Sequence, residues 1–514
     1  MGEGVIANVA AAGPGPAGAA PAGRRLREVR IYDTLREQVV PLQPLVPPRV
    51  GMFVCGLTPY KPSHIGHARS FVFFDVVARF LRYLGYRVFY LQNSTDIDDK
   101  IIRQATEEGT DTFHVSERNF QLYLRNMEAL GVRSVNLYAR CTDYVPEIVT
   151  QVRQLVDRGF GYAVEGGDVY FEVGRFPRFG ALSKQKVEAV QAGSRIEVDP
   201  RKRSPEDFAL WKGAKPGEPW WESPWGRGRP GWHIEDTAIT VNVLGPRYDL
   251  HGGGAELKFP HHEAEIAQAE SATGLSPLAS IWMHAGLLNM RGEKMSKSLG
   301  NVVPLDETLR QHNPAVLRYF LLSGLYRSPL DYVGDPSLEE AERAFETLAS
   351  PYRRLNALWG DLSRANDLDR KGPELDASVS ERARATQDRM VAALAEDFQL
   401  REATRELFNW GKEVNVLLGR TEGYSGPALE VLLGPYRFAD AVLGYFTLDQ
   451  ASSEGPASAG AELGPLVEIV LTARQRARGR GDYAEADRLR DELTSAGIEV
   501  EDTPKGPKWK VKGG

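Results

Sequence analysis

The chain has little cysteine, no long apolar run and no excess of positive charge. Two of its 514 residues are cysteines, Cys55 and Cys141, which excludes a disulfide framework and predicts a reducing, cytoplasmic location. No stretch approaches the roughly 18 consecutive apolar residues of a membrane helix, so we expect no membrane partner. The formal net charge of -6 gives no overall attraction to nucleic acid. Any such contact must come from local basic segments.

The sequence does contain enough apolar residues for several globular domains. Hydrophobic residues make up 42% of the chain, which is long for a single domain. Residues 1–26 are rich in alanine, glycine and proline and show no hydrophobic periodicity, so they are predicted to form a disordered tail. The tail also lacks the basic start that is typical of a secretory signal.

Strand and helix patterns alternate after this tail. Residues 50–54 are typical of a buried strand, residues 68–84 carry apolar side chains at a helical period, and residues 87–91 form a second strand pattern. This order predicts an α/β fold with a Rossmann-like parallel sheet, in which ligands lie at the carboxyl ends of the strands. Cys55 and His64 fall at that edge of the sheet.

The remaining patterns divide the chain into successive regions. The catalytic domain is predicted in two halves, separated by an insertion of short strands and tryptophan-rich turns. A helical bundle, a linker rich in small residues and a small mixed domain complete the chain. The predicted boundaries are 27–130 for the first catalytic half, 131–230 for the insertion, 231–290 for the second half, 291–345 for a basic loop and the region after it, 346–450 for the bundle, 451–464 for the linker and 465–514 for the C-terminal domain.

Two short strings have the chemistry of a site for ATP phosphates. Residues 64–67 read His-Ile-Gly-His and open a helix after the first strand, and residues 294–298 read Lys-Met-Ser-Lys-Ser in a loop rich in glycine and lysine. A glycine and imidazoles at a helix N-terminus can approach a triphosphate closely, and mobile lysines can neutralise it from the other side. The alternatives are a solvated histidine pair and an exposed basic loop.

A second group of residues has the donor atoms of a zinc site. Cys55 follows the first strand, and His261 and Glu265 lie four residues apart, which places them on one face of a helix. A thiolate, an imidazole and a carboxylate are ligands that zinc accepts. The alternative is a small core cysteine and a helix surface. A zinc-protease helix is excluded because Ile266 stands where the second histidine ligand is required.

Further strings occur in a fixed order between residues 31 and 510. They are F-V-C-G at 53–56, T-D-I-D-D-K at 95–100, S-P-W-G at 223–226, G-W-H-I-E at 231–235, H-G-G-G at 251–254, F-P-H-H-E at 259–263 and E-D-T-P at 501–504. Together with the two phosphate-site strings, they resemble the cysteinyl-tRNA synthetases, a family of class I aminoacyl-tRNA synthetases. No other family that we know combines them.

The resemblance implies ATP-dependent attachment of cysteine to tRNA(Cys) through a cysteinyl adenylate. ATP with Mg²⁺, cysteine and tRNA(Cys) would be the partners of a monomeric enzyme. The region after the basic loop would contact the acceptor stem, and the helical bundle and C-terminal domain would reach the anticodon. The catalytic residues would be His64, His67, Lys294 and Lys297. The ATP-binding residues would be His64, Gly66, His67, His251, Gly252, Gly253, Lys294, Ser296 and Lys297.

The resemblance also implies one Zn²⁺ site and a pocket for the amino acid. The family's four zinc ligands fall on Cys55, Asp236, His261 and Glu265. The pocket residues fall on Thr95, Trp232 and Glu256. In the family, zinc binds the substrate thiol and so separates cysteine from serine.

Two positions depart from the family pattern. Asp236 replaces a cysteine ligand, and Glu256 stands where the family usually has aspartate. A carboxylate can bind zinc, so we predict a retained but weaker site, with loss of the site as the alternative. The departures also leave open a tRNA-binding paralogue with altered or lost amino-acid specificity. A cysteine:amino-sugar ligase of related fold is a further alternative, against which residues 465–514 argue.

Overall fold

The computed structural model describes residues 26–185, 199–294, 301–369, 375–420, 423–453, 467, 470–478, 482–495, 498–503 and 506–511. The predicted tail up to residue 25, Ser296, Lys297 and linker residues 454–464 lie outside this part of the chain. Of the helices it contains, none combines the length and apolar character needed to cross a membrane.

A five-stranded parallel sheet forms the centre of the catalytic region. From one edge to the other, its strands are Ala279–Ala285, Tyr248–Gly254, Arg49–Leu57, Arg87–Ser94 and Leu137–Arg140. The order of strands along the chain reverses between the second and third of these, and a ligand crevice opens at such a point beyond the carboxyl ends of the strands. This arrangement confirms the predicted Rossmann-like α/β fold. It also extends the sheet past residue 130, because its fifth strand begins at Leu137.

The helix Ile65–Tyr83 connects the first two strands of this sheet in chain order. Its apolar side chains cover most of its circumference, and 13 of its 19 residues are buried, because it packs between the sheet and the helical bundle. The helix begins after His64, whose backbone is extended, and it is followed by Gly85 with a φ of 97°. That left-handed conformation is one that glycine adopts without strain, so the predicted helix end is confirmed.

The inserted region forms a separate antiparallel sheet. Its strands are Gly161–Ala163, Val169–Phe171, Phe208–Gly213 and Gly228–Pro230, which pair in chain order. They share one hydrophobic core with a face of the parallel sheet, and Trp211 and Trp282 are completely buried there. The last strand leads directly into the Trp232 string, so the insertion positions that part of the site.

The other helices and strands surround these two sheets. Near the N-terminus, Arg30–Asp33 pairs with Gln38–Pro41. A small sheet combines Leu288–Met290, Glu293–Lys294 and Leu330–Tyr332. Helices of the catalytic region are Asp99–Glu108, Thr112–Ala129, Val145–Asp157, Ile234–Val243, His261–Thr273, Leu305–Gln311 and Pro314–Leu322. The bundle contains Asp335–Arg364, Ala377–Ala395, Leu400–Arg420, Gly426–Leu443 and Phe446–Ser453, and the C-terminal region contains the helix Tyr483–Ser495 and the hairpin strands Ile498–Thr503 and Gly506–Val511.

Arg318 forms a buried ion pair within the catalytic region and also links that region to the bundle. The Arg318 Nη2 donates to Asp75 Oδ2 at 2.7 Å, and both side chains are completely buried. The same guanidinium donates to the carbonyl oxygens of Leu130 and Leu443. One arginine therefore satisfies polar groups from three different helices at the point where they meet.

Candidate active site

Three of the four predicted metal ligands meet at the carboxyl edge of the parallel sheet. Cys55 lies near the end of the strand Arg49–Leu57, Asp236 is in the first turn of its helix, and His261 begins another helix. The Cys55 Sγ is 3.3 Å from Asp236 Oδ2 and 3.4 Å from His261 Nε2, which is itself 3.0 Å from Asp236 Oδ2. One donor atom from each residue lies within 4.8 Å of the others, close enough to share one ion.

Glu265 connects this cluster to a second group of buried donors. Its Oε1 is 3.2 Å from His261 Nε2, and its Oε2 is 3.5 Å from His251 Nε2. Glu265, His251 and His262 form the second group, and all three are buried. The structure therefore places the fourth predicted ligand against His261, one of the first three, with its other oxygen facing His251.

The charges of these residues favour a bound cation. Burial, followed by the negative charge of Asp236, raises the pKa of the Cys55 thiol well above its ordinary value. Burial and then Asp236 likewise raise the pKa of Glu265. Within the described part of the chain, neither oxygen of Glu265 receives a hydrogen bond. A divalent metal would supply the positive charge that allows both groups to ionise, so the donor set fits the predicted zinc.

Two polar residues outside the predicted ligand set orient the cluster through hydrogen bonds to Asp236 and His261. Asn93 Nδ2 donates to Asp236 Oδ1 at 2.5 Å, and His233 Nδ1 lies 2.7 Å from His261 Nδ1. Burial and then the charge of His261 lower the pKa of His233 well below its ordinary value, so His233 is neutral. With the proton of this hydrogen bond assigned to His261 Nδ1, the lone pair of His261 Nε2 points at Cys55 and Asp236, as a metal ligand requires.

The predicted amino-acid residues surround the same cluster. Trp232 stacks on the His261 ring with centroids 4.4 Å apart and an interplanar angle of 16°. Thr95 is buried, and its Oγ1 is 3.5 Å from Asn93 Nδ2. Glu256 lies in the short turn Ala255–Lys258 that follows the strand Tyr248–Gly254. All three predicted residues therefore lie at the carboxyl edge of the sheet.

An ion pair fastens the insertion to this pocket. Asp99 pairs with Arg229, and the Lys212 Nζ is 2.5 Å from Asp99 Oδ2. Burial raises the pKa of Asp99, but its hydrogen bonds and charge interactions with Lys212 and Arg229 outweigh that effect and lower it to about 2. Arg229 precedes the Trp232 string and Asp99 precedes Lys100, whose Nζ lies 6.0 Å from the Trp232 ring. The pair therefore holds two segments of the pocket together.

The predicted phosphate site lies at the start of the helix Ile65–Tyr83. The rings of His64 and His67 stack with centroids 3.7 Å apart, and His67 Nδ1 accepts from the His64 backbone N–H at 3.3 Å. The Ile65 N–H donates to the Val303 carbonyl oxygen at 3.2 Å. The segment that follows the basic loop is thus attached to the helix start. Lys294 ends the short strand Glu293–Lys294 just before the loop.

The string that begins at His251 is buried and closely packed. The His251 imidazole is completely buried, its Nδ1 is 2.7 Å from the Tyr248 hydroxyl, and it stacks on Trp282 with centroids 4.0 Å apart. A Cβ at Gly252 would lie 2.5 Å from the Phe74 ring, and one at Gly253 would lie 2.7 Å from the His262 ring. These glycines allow close packing, and their predicted contact with ATP would involve the backbone.

We expect Gly252→Ala to destabilise the catalytic domain by about 1–3 kcal/mol, because its methyl group would force the buried Phe74 ring to move. Gly51→Ala is the matched control on the neighbouring strand, where the new Cβ would make an ordinary contact at 3.5 Å with Tyr248. Thermal unfolding followed by circular dichroism measures both. Equal midpoints for the two variants would contradict the packing explanation.

Sequence reasoning missed Asn93 and His233. Asn93 is the second-last residue of the strand Arg87–Ser94, just before the T-D-I-D-D-K string, and His233 lies inside the G-W-H-I-E string. Their presence beside recognised strings is a signal that could have identified them. Their contacts could not be predicted, since each bonds to a residue far away in the chain.

Comparison with known proteins shows the family to which the chain belongs. A family model described as the catalytic domain of class I (C) tRNA synthetases matches residues 41–343. A cysteine–tRNA ligase of Desulforudis audaxviator is 44% identical over 493 residues, which cover 94% of this chain and 100% of that protein. The chain belongs to the cysteine–tRNA ligase family. A second model, described as the cysteinyl-tRNA ligase anticodon binding domain, matches residues 461–509.

Other members of the family are comparably similar. A cysteine–tRNA ligase of Geobacter metallireducens is 43% identical, with 94% of this chain and 100% of that protein covered. One from Thermoplasma acidophilum is 42% identical, with 92% and 98% covered. The match extends over both the catalytic region and the C-terminal region.

Solved structures share the fold. Mycobacterium tuberculosis methionyl-tRNA synthetase bound by methionyl-adenylate superposes with a TM-score of 0.58 and 18% identity, covering 77% of this chain and 92% of that one. At this identity the likeness concerns the fold alone. It agrees with the class I architecture that the strand order of the parallel sheet shows.

Proposed function

We propose that this chain joins cysteine to tRNA(Cys) in two ATP-dependent steps. The observation that carries the proposal is the meeting of two sites at one sheet edge: the His64 helix start, suited to phosphates, and the cluster of Cys55, Asp236 and His261, suited to a thiophilic metal. A substrate thiol and the ATP phosphates would therefore be held beside each other. The match of residues 461–509 to an anticodon-binding domain argues against the amino-sugar ligase.

In the first step, the cysteine carboxylate oxygen attacks the α-phosphorus of Mg-ATP, and the bond to pyrophosphate breaks. The charge that develops on the phosphates is stabilised by His64 and His67 at the helix N-terminus. Lys294 and Lys297 would neutralise the departing pyrophosphate. In the second step, the ribose 2′-hydroxyl of the terminal adenosine takes the aminoacyl group, and AMP leaves.

Selection of cysteine would depend on the buried cluster. Cys55, Asp236, His261 and Glu265 would hold Zn²⁺, which supplies a thiophilic Lewis acid that distinguishes a thiol from a hydroxyl. Other residues shape the pocket, and their placement does not depend on the ion. Trp232 covers one face of the His261 ring, while Thr95 and Glu256 contribute polar groups at the rim.

Binding of tRNA would extend from the acceptor stem region after residue 301 to the C-terminal domain. Arg474, Arg476, Arg478 and Arg480 form a local basic segment of the C-terminal region. The structure buries Arg474, with 3% of its surface exposed, so this arginine is not available to RNA. We propose that other basic residues of the helical and C-terminal regions make the contact, and that the enzyme acts as a cytoplasmic monomer.

Amino-acid-dependent ATP–pyrophosphate exchange tests the proposal. Purified full-length chain is assayed with each standard amino acid, and we expect exchange with cysteine alone. Exchange with another amino acid would show altered specificity, and silence with all of them would favour the tRNA-binding paralogue. Metal analysis of the same preparation, with Asp236→Ala as control, should find zinc in the unaltered chain and less in the variant.

A further inference from the structure

The two oxygens of the Asp236 carboxylate have separate partners. Oδ2 faces the other donors, 3.3 Å from Cys55 Sγ and 3.0 Å from His261 Nε2. Oδ1 points away from them and accepts a hydrogen bond from Asn93 Nδ2 at 2.5 Å. Asp236 is completely buried, so the different surroundings of its two oxygens do not arise from contact of one of them with solvent.

The orientation of Asn93 is set by the backbone of the neighbouring strand. Its Oδ1 accepts from the Gly56 N–H at 2.6 Å, and its side chain is almost completely buried. Because an N–H can only donate, the amide oxygen must face Gly56 and the amide nitrogen must face Asp236. Gly56 has no room to shift toward Asn93, since a Cβ there would lie 1.9 Å from the Asn93 carbonyl oxygen.

A carboxylate has a freedom that a thiolate lacks. It can bind a metal through one oxygen, through both, or turn between these modes, whereas a thiolate offers one donor atom. At position 236, where related enzymes are implied to use cysteine, holding Oδ1 leaves a single oxygen directed at the metal position. The Asn93 amide therefore makes a carboxylate act like a ligand with one donor atom.

We propose that Asn93 is a positioning residue that makes Asp236 a one-oxygen metal ligand. The site of this chain then has one sulfur donor, Cys55, instead of the two that the family resemblance implies. The inference rests on the metal assignment in the proposed function. Harder donors shift preference away from thiophilic ions. Asp236→Cys should accordingly raise the preference for zinc over cobalt or manganese.

A double-mutant cycle on metal affinity tests this role in the full chain. Zinc binding is measured by competition with a chromophoric chelator for the unaltered chain, Asn93→Ala, Asp236→Cys and the double variant. Loss of a residue that orients a metal ligand weakens binding by about 10- to 100-fold, and we expect that loss for Asn93→Ala alone. In the Asp236→Cys background, the same change should cost less than about threefold, because a thiolate has no second oxygen to hold.

The control is Asn119→Ala, which removes another buried asparagine, whose amide donates to the Val115 carbonyl oxygen of its own helix. It should leave zinc affinity unchanged. An equal loss of affinity on removing Asn93 in both backgrounds would show a merely structural role and overturn the inference. Failure of the unaltered chain to bind zinc would overturn the metal assignment with it, while exchange activity would still report on the proposed reaction.

The cobalt spectrum gives a second measurement that does not depend on the folding of the Asn93 variant. Thiolate-to-cobalt charge transfer scales with the number of bound thiolates, so the unaltered chain should show about half the intensity of Asp236→Cys. Equal intensities would contradict the site with one sulfur donor.

Discussion

Replacing His64 or His67 by alanine should lower cysteine-dependent ATP–pyrophosphate exchange by about 10²- to 10³-fold in each case. Each ring lies at the N-terminus of the helix Ile65–Tyr83, where its N–H group can add to the positive end of the helix dipole. Both are needed because charge develops on the phosphates as the pyrophosphate leaves. The rate at saturating ATP should fall more than the apparent affinity for ATP.

His114→Ala is the matched control for these variants. This histidine is exposed, lies in the first turn of the helix Thr112–Ala129 and pairs with the N-cap residue Asp111. Exchange activity of the control should stay within about twofold of the unaltered chain, as expected for a surface change. Near-normal exchange in both His64→Ala and His67→Ala would remove the phosphate role from this string.

Replacing Asp75 by alanine should lower the free energy of unfolding of the catalytic region by about 3–5 kcal/mol. The reason is the partner that remains: Arg318 is completely buried and would lose its carboxylate at the junction of the catalytic helices and the bundle. Urea unfolding followed by circular dichroism measures the loss. Asp361→Ala removes an exposed ion pair with Arg364 and should cost no more than about 1 kcal/mol.

The effect of Asp75 should also depend on pH. Burial raises the pKa of Asp75, but Arg79 and Arg318 outweigh it, so the folded-state pKa lies below the ordinary value. The stabilisation is therefore complete above about pH 4, the ordinary pKa of aspartate, and is lost as the pH falls through the lower folded-state pKa. The stability difference between the unaltered chain and Asp75→Ala should narrow in acid. A difference that stays constant down to pH 2 would contradict the ion-pair explanation.

The sequence was most informative where chemistry and local pattern coincide. The alternation of strand and helix patterns before residue 94 predicted the parallel sheet. Buried strands give continuous apolar runs, and a helix with a buried face gives apolar residues at a helical period, so both can be recognised in the sequence. The strand pattern also predicted Cys55 and His64 at the sheet's carboxyl edge, since both follow the end of the first strand. The predicted region boundaries were less exact at Leu137, whose short strand has no distinctive pattern.

Contacts between distant segments could not be predicted in this way. Asn93 lies near the end of a strand and Asp236 lies in the first turn of a helix, and their hydrogen bond depends on how the strand and the helix pack. The same limit applies to the glycines after His251: their close packing against Phe74 and the His262 ring could not be predicted, while their contact with ATP stays a prediction.

The sequence by itself determined the family and the reaction class and predicted the metal donors, because these depend on which residue types occur in which order. Only the tertiary structure decided which carboxylate oxygen of Asp236 faces the cluster, and that Arg318 closes the junction of three helices. Such details arise from strand register and helix packing, which bring together side chains separated by more than a hundred residues. A local pattern indicates that a residue is buried, but the residue that its side chain contacts depends on the packing of the whole fold.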